Sequence, residues 1–193
     1  IAATLEEARA LTRLVEDLQT IAAAEAGQLT LVTGTVDLAE VANDLVTSLG
    51  PLAEAQEIDL RCVISGRPDD LMIEGDAGRI DQVLTNLTTN ALRHTAAGGA
   101  ITLEVAPAGD KVRLSVSDTG EGISPEDLPH IFDRFWRGDP ARSHRDGAGG
   151  GLGLAIARQL VEAHDGTISV ESALGEGTVF TIDFPRRNPR LSA

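Results

Sequence analysis

Residues 149–154 read Gly-Gly-Gly-Leu-Gly-Leu and run straight into an apolar-periodic segment at 155–164. This is a glycine-rich loop opening a helix. Glycine lets backbone N–H groups approach a phosphate with no Cβ in the way, and the helix N-terminus adds positive potential there. Taken alone, the stretch reads equally as a flexible turn that caps a helix. Working outward, three further segments fit the same nucleotide: the pair Asn86 and Asn90, the turn Asp118-Thr-Gly-Glu-Gly122, and Gly175-Glu-Gly-Thr178.

Asn86 and Asn90 are one helical turn apart in Gln82-Val-Leu-Thr-Asn-Leu-Thr-Thr-Asn-Ala-Leu-Arg-His94, so they share a face. Leu84, Leu87 and Ala91 can then face a core while the amides face a cleft. An Asn carbonyl is a hard oxygen ligand that suits Mg²⁺, which keeps waters and takes few protein ligands beside phosphates. The plainer reading is a solvated polar face. Arg93 and His94 lie one turn on, within reach of phosphate or ribose. Asp118 ends a strand and opens a turn, where its carboxylate can accept from an exocyclic amine such as adenine N6. Gly120 and Gly122 would let a flat base approach the backbone, and Ile123 follows; an ordinary Asp-Gly turn is the alternative. Between 131 and 148, Arg134, Arg137, Arg142 and Arg145 stand out as local cations on an acidic chain. They read as a lid offering Arg to a polyphosphate, or as a surface loop with incidental ion pairs. Phe132, Phe135 and Trp136 are expected to anchor the start of that segment.

Composition sets the outer bounds. A chain of 193 residues with 42% apolar residues supports one main domain plus an appendage. Aromatics make up only 3%, so aliphatic residues must build the core. A net charge of −14 argues against a nucleic-acid surface and against attraction to anionic lipid. The single Cys62 rules out an internal disulfide framework and a cysteine zinc site; it falls in an alternating run and is expected in the core. No apolar run reaches the ~20 residues of a membrane span.

Ile1, Ala8, Leu11, Val15, Leu18 and Ala22, widened by Leu5, Leu14 and Ile21, form the stripe of an amphipathic helix ending at Gly27. Its seam suits a helical bundle; packing on its own globular domain is the other possibility. The helical pattern is already running at Ile1, which suggests a piece of a longer chain whose sensing or anchoring elements lie upstream. After a linker to about Gly34, Leu38–Gln56 reads as a helix capped by Asp37. Ile58–Ile64 alternates as a strand, Leu71–Gly75 is a short strand, and Asp76 caps a helix to about His94. Ile101–Val105 and Val112–Ser117 form a hairpin, a helix spans about 151–164, and Ile168–Glu171 pairs with Thr178–Phe184. The order lacks strict βαβ alternation and indicates an α+β, two-layer α/β sandwich with helices on one sheet face.

In this order the segments resemble the catalytic, ATP-binding domain of sensor histidine kinases, within the Bergerat-fold ATPases. The asparagine box resembles Asp81–Thr95, the first glycine box Asp118–Ile123, the phenylalanine box Ile131–Arg137, the second glycine box Gly149–Leu154 and the last one Gly175–Phe180. Leu11–Leu18 and Glu25–Leu29 resemble the second helix of that family's dimerisation and phosphotransfer domain. The resemblance implies a mixed sheet covered on one face, with 1–27 the dimerisation helix, 28–34 a linker, 35–186 the catalytic domain and 187–193 a tail. It implies ATP and Mg²⁺ as ligands: Asn90 on the metal, Asn86 beside it, Asp118 on adenine N6, and Gly122 near the base. Gly149, Gly150, Gly151 and Gly153 would wrap the phosphates while Leu152 and Leu154 pack the loop down. Thr178 would support the adenine end through Asp118 or a water, and Arg137 and Arg142 would serve as lid contacts.

Hydrolytic Bergerat ATPases carry a Glu one turn before the metal Asn. Asn86 stands here and cannot act as a base, which favours phosphoryl transfer to a protein nucleophile. The resemblance further implies a cytoplasmic domain, a homodimer through the helix in the whole protein, and a response regulator as partner. It implies no contact of this portion with nucleic acid or membrane. The family's acceptor histidine has no counterpart, since His94, His130, His144 and His164 all fall inside the nucleotide domain; the chain is expected to bind ATP without phosphorylating itself. A serine-directed kinase of the anti-sigma type and a non-catalytic nucleotide scaffold are the rival readings.

Overall fold

Alternation on three strands decides where the core lies. Ile101, Leu103 and Val105 of one strand, Val112, Leu114 and Val116 of the next, and Phe180, Ile182 and Phe184 of a third are all buried, and their odd-phase neighbours are polar or partly exposed. The computed structural model describes residues 12, 15, 17–24, 26–136 and 151–187. Within these, residues 17–24 end a helix (α1), followed by β1 (Gly34–Asp37), α2 (Leu38–Ala55), β2 (Asp59–Ile64), β3 (Met72–Gly75), α3 (Ala77–His94), β4 (Ala100–Ala108), β5 (Lys111–Asp118), α4 (Gly153–Ala163), β6 (Thr167–Ala173) and β7 (Gly177–Pro185).

The main sheet has five strands in the order β2-β4-β5-β7-β6, with β2 parallel to β4 and every other pair antiparallel. One face is covered: Leu38, Ala42 and Leu45 of α2, Ile80, Val83, Leu84, Leu87 and Ala91 of α3, and Ile156, Ala157, Leu160 and Val161 of α4 join the same apolar cluster as the strands. The other face carries residues such as Ser115, Thr181 and Ser169, paired across neighbouring strands. This is the one-side-covered α+β sandwich anticipated from the pattern, with the mixed sheet that the resemblance implies.

The helix starts follow from local chemistry. Asp37 accepts from the Ala39 and Glu40 amides and Asp76 from the Arg79 amide, so both anticipated caps are made by carboxylates. Asp76 does more: its other oxygen accepts from Val32 N–H at 2.9 Å, tying the segment before β1 to the start of α3. β1 pairs antiparallel with β3 in a separate two-stranded sheet, which the chain after β7 joins through the Ile73–Arg186 bridge.

Three expectations need correction. Cys62 is only half-buried, because β2 is an edge strand and lacks a neighbour on one side. Leu71 lies in a 3₁₀ turn, Pro68–Leu71, so the short strand starts at Met72; Pro68 sits at the first position of that turn, where its fixed φ fits. The helix expected over 151–164 runs over Gly153–Ala163. Of the amphipathic stripe, Ile21 is buried against the domain while Val15 and Leu18 are 52% and 41% exposed. Arg79 Nη1 donates to Thr20 Oγ1 at 3.4 Å, so the helix end rests on α3. Ile1 to Leu11 and Leu14 of the stripe lie outside the described residues.

Thr88 is fully buried on α3 and its hydroxyl has no partner among the described residues. A buried hydroxyl without a partner carries its desolvation cost uncompensated. Thr88→Val is therefore expected to stabilise the protein by about 1 kcal/mol, read as a raised urea midpoint with an unchanged m-value. A loss of stability would show that the hydroxyl is satisfied after all.

Candidate nucleotide site

The period of two that buries the apolar ladder also aims Asp118. It follows Val112, Leu114 and Val116 in phase on β5 and so faces the helices from the strand's end. Its cross-strand neighbours are Ile101 on β4 and Thr178 on β7, and Thr178 in turn lies opposite Ser172 on β6. Asp118 and Thr178 are each only 6% exposed. The apolar ladder thus ends in a polar row at one end of the sheet.

Burial pushes the Asp118 carboxyl above the usual carboxylate range, opposed by the Gly120 and Thr178 amides and by the nearby His94. Gly120 N–H donates to Asp118 Oδ1 at 2.9 Å. Two glycines let backbone pack directly against backbone at this end. Gly122 has φ +71°, and a Cβ there would run into the Ala173 carbonyl; Gly177 has φ +92°, and a Cβ would run into the Asp118 carbonyl. The first glycine turn is fastened to the β6–β7 turn by Gly175 N–H on Glu121 O at 2.7 Å. Ile123 N–H bonds Ser172 Oγ at 2.8 Å.

The other end is built on α3 and α4. Asn86 Nδ2 donates to Gly153 O at 3.1 Å, joining the middle of α3 to the start of α4. At the far end of α4, His164 Nε2 accepts from Asp76 N–H at 3.0 Å. Its Nδ1 then carries the hydrogen and donates to Leu160 O at 2.7 Å. The two helices run antiparallel between these polar clips. Unlike α2 and α3, α4 starts without a side-chain cap among the described residues, an arrangement that suits an anion at its N-terminus. Gly151, just before it, has φ +66°. Leu152 is buried and Leu154 packs partly against the core, seating the loop's exit.

Asn90, half-buried one turn after Asn86, has no side-chain partner among the described residues, which leaves its amide oxygen available to a cation. Arg93 is exposed. His94 is turned towards the first glycine turn, its Nδ1 2.9 Å from Glu121 Oε1, and its carbonyl accepts from Glu121 N–H.

Arg137, Arg142, Gly149 and Gly150, together with Arg145 and His144, lie outside the described residues. Of the three aromatics expected to anchor the lid segment, Phe132 stacks edge-on to Phe180 and Trp136 is partly buried. Phe135 does not anchor: it is 62% exposed at φ +58°. The left-handed turn swings its side chain outward while its N–H reaches Gly151 O at 2.9 Å. Sequence reasoning missed Ser172, Glu121 and the Asp76–His164 clip. Ser172 had a signal, since it is in phase with the inward-facing Ile168 and Val170; the other two depend on tertiary proximity alone.

Residues 75–188 match the family of histidine kinase-, DNA gyrase B-, and HSP90-like ATPases, and the chain belongs to that family as an ATP-binding domain. It is 39% identical over 185 residues to the sensor protein IrlS of Burkholderia pseudomallei, an alignment that takes in 96% of this chain and 39% of that protein. Full-length ShkA in complex with AMPPNP superposes with a TM-score of 0.79 at 31% identity, over 95% of this chain and 37% of that one. Histidine kinase ThkA in complex with the response regulator protein TrrA gives 0.70 at 28% identity, over 92% and 48%. The chain thus spans well under half the length of the curated relatives it matches. No helix among the described residues is long and apolar enough to cross a membrane.

An acceptor carboxylate must be ionised to take an amine hydrogen without competition. Because the Asp118 pKa lies above the ordinary value of 3.8, adenine-nucleotide affinity is expected to fall on acidification at a higher pH than a normal aspartate would give. Asp118→Asn is expected to lose most of the affinity and the acid-dependent part of the remainder. Calorimetric titration with ADP between pH 4.5 and pH 8 checks both; an identical pH profile in the variant would contradict the assignment.

Proposed function

We propose that this domain binds Mg²⁺-ATP and donates its γ-phosphoryl group to a histidine on another part of the whole protein, from which a response regulator aspartate receives it. The observation that carries the reading is the pairing of a buried acceptor row at Asp118 and Thr178 with an uncapped, glycine-led helix start beside Asn86 and Asn90. The relatives' naming as sensor proteins and the ThkA–TrrA complex support the partner class.

In this reading Asp118 accepts from the exocyclic amine of adenine. The open amides of α4 and the backbone around Gly151 and Gly153 receive phosphate oxygens. Asn90 would hold Mg²⁺, whose role is to neutralise charge on the phosphates. The free amide oxygen of Asn90 fits that role, and a carbonyl donor is a chemically suitable ligand. Asn86 holds α4 against α3 through Gly153, which fixes the distance between the metal side and the phosphate side. It offers no carboxylate to activate water. Catalysis then rests on positioning and charge stabilisation, as phosphoryl transfer requires little covalent chemistry from the protein. The Arg residues at 137 and 142 are proposed to add charge at the phosphates, and a second copy is the proposed dimer partner through the N-terminal helix.

Two outcomes test the proposal. Asn90→Ala is expected to remove the Mg²⁺ dependence of ATP binding, measured by titration with and without the metal; an undiminished Mg²⁺ effect would rule out that ligand. Adding a separately made acceptor helix from a histidine kinase, with radiolabelled ATP, is expected to yield an acid-labile, base-stable phosphoryl group. Phosphoserine in its place would favour a serine-directed kinase, and no transfer at all would sink the kinase reading.

A further inference from the structure

We infer that Ser172 sets the base preference of the site by fixing the direction of the Thr178 hydroxyl, so that the Asp118–Thr178 pair presents acceptors alone to the exocyclic group at C6 and takes a 6-aminopurine in preference to a 6-oxopurine. This rests on the proposal that the base lies at Asp118. The argument is a proton count. Ser172 Oγ is 2.7 Å from Gly177 O, 3.0 Å from Thr178 Oγ1 and 2.8 Å from Ile123 N. A serine hydroxyl has one hydrogen and two lone pairs. The Gly177 carbonyl can only accept, so the serine hydrogen goes there. The Ile123 amide can only donate, so it fills one lone pair. The contact with Thr178 then has a single solution, in which Thr178 Oγ1–H donates to the second lone pair.

Thr178 therefore spends its hydrogen inward, and the lone pairs are what remain of its hydroxyl. Its neighbour in the same row is Asp118, whose carboxylate also accepts and already holds the Gly120 amide. Both groups are buried, so an unmatched polar partner meets little water there. An exocyclic amine offers hydrogens to such a pair. An oxo group sets its own lone pairs against them, and a buried mismatch of this kind discriminates strongly. Ser172 touches neither group of the base in this account; it is a positioning residue. Removing its hydroxyl releases Thr178 to rotate and donate outward, which is the orientation an oxo group needs.

The test compares ADP with IDP, which carry an amine and an oxo group respectively at that position and differ also in the hydrogen on N1 of IDP, by calorimetric titration of the full chain near pH 7.5. The wild-type chain is expected to prefer ADP. Ser172→Ala is expected to lower the ratio of the IDP to the ADP dissociation constant about tenfold, the equivalent of roughly one hydrogen bond, partly by tighter IDP binding. Ser172→Thr, which keeps a hydroxyl, is expected to restore the preference. A structural role alone would weaken both ligands equally, so an unchanged ratio in Ser172→Ala, or no recovery in Ser172→Thr, overturns the inference. Thr178→Val gives a second reading should Ser172→Ala fail to fold: ADP weakens, IDP does not, and an unchanged ratio counts against the inference. If the wild-type chain bound neither nucleotide, or both equally, the base assignment at Asp118 would fall first and the role of Ser172 with it.

Discussion

The antiparallel pairing of β5 with β7 runs without a break from Lys111 opposite Pro185 to Asp118 opposite Thr178. Its alternation places three apolar pairs under the helices before it places the polar one. Because side chains repeat every two residues, a slip of one position on either strand would send the whole apolar set to the open face and Asp118 with it. The register that makes the core is thus the register that aims the site. It also requires β7 to begin where the backbone of Asp118 already is, which a residue with a Cβ at 177 could not do. Core and the Asp118–Thr178 row share one constraint, and neither can be altered by itself.

The proposed phosphate end depends on that sheet less directly. α3 and α4 lie on it through Val83, Leu84 and Leu87 on one helix and Ile156, Leu160 and Val161 on the other, all buried. Apolar contact is non-directional, and burial alone would let two helices slide along each other. The Asn86–Gly153 and Asp76–His164 bonds fix the slide at both ends. Asn86 acts here through its amide hydrogen, a role that a metal-centred reading of the asparagine pair does not contain.

Much of this was legible from the chain. Periodicity located the helices, Asp37 and Asp76 marked their starts, and the five segments pointed to one nucleotide before any strand order was known. What the pattern could not provide was neighbourhood. Nothing in Cys62 or its flanks says that its strand is an edge, because that depends on which strands pair. Phe135 looked like an anchor since aromatics usually bury; its left-handed backbone accompanies a bond to Gly151, 16 positions further on in the numbering. His94 was free to point at phosphate until Glu121 was found beside it. Ser172, a polar residue on an inward phase, is the kind of exception that carries information.

Asp76 has a consequence in mechanical terms. One carboxylate starts α3 and also holds Val32, in the segment through which the N-terminal helix enters the domain, while its own amide is gripped by His164. A helix is stiff along its axis, and Asn86 and Asn90 ride on this one. A turn of the incoming segment therefore loads the fulcrum of the very lever that carries both asparagines, and the load is shared with α4 through the imidazole. The link from the incoming segment to the two asparagines thus runs along α3 and bypasses the sheet.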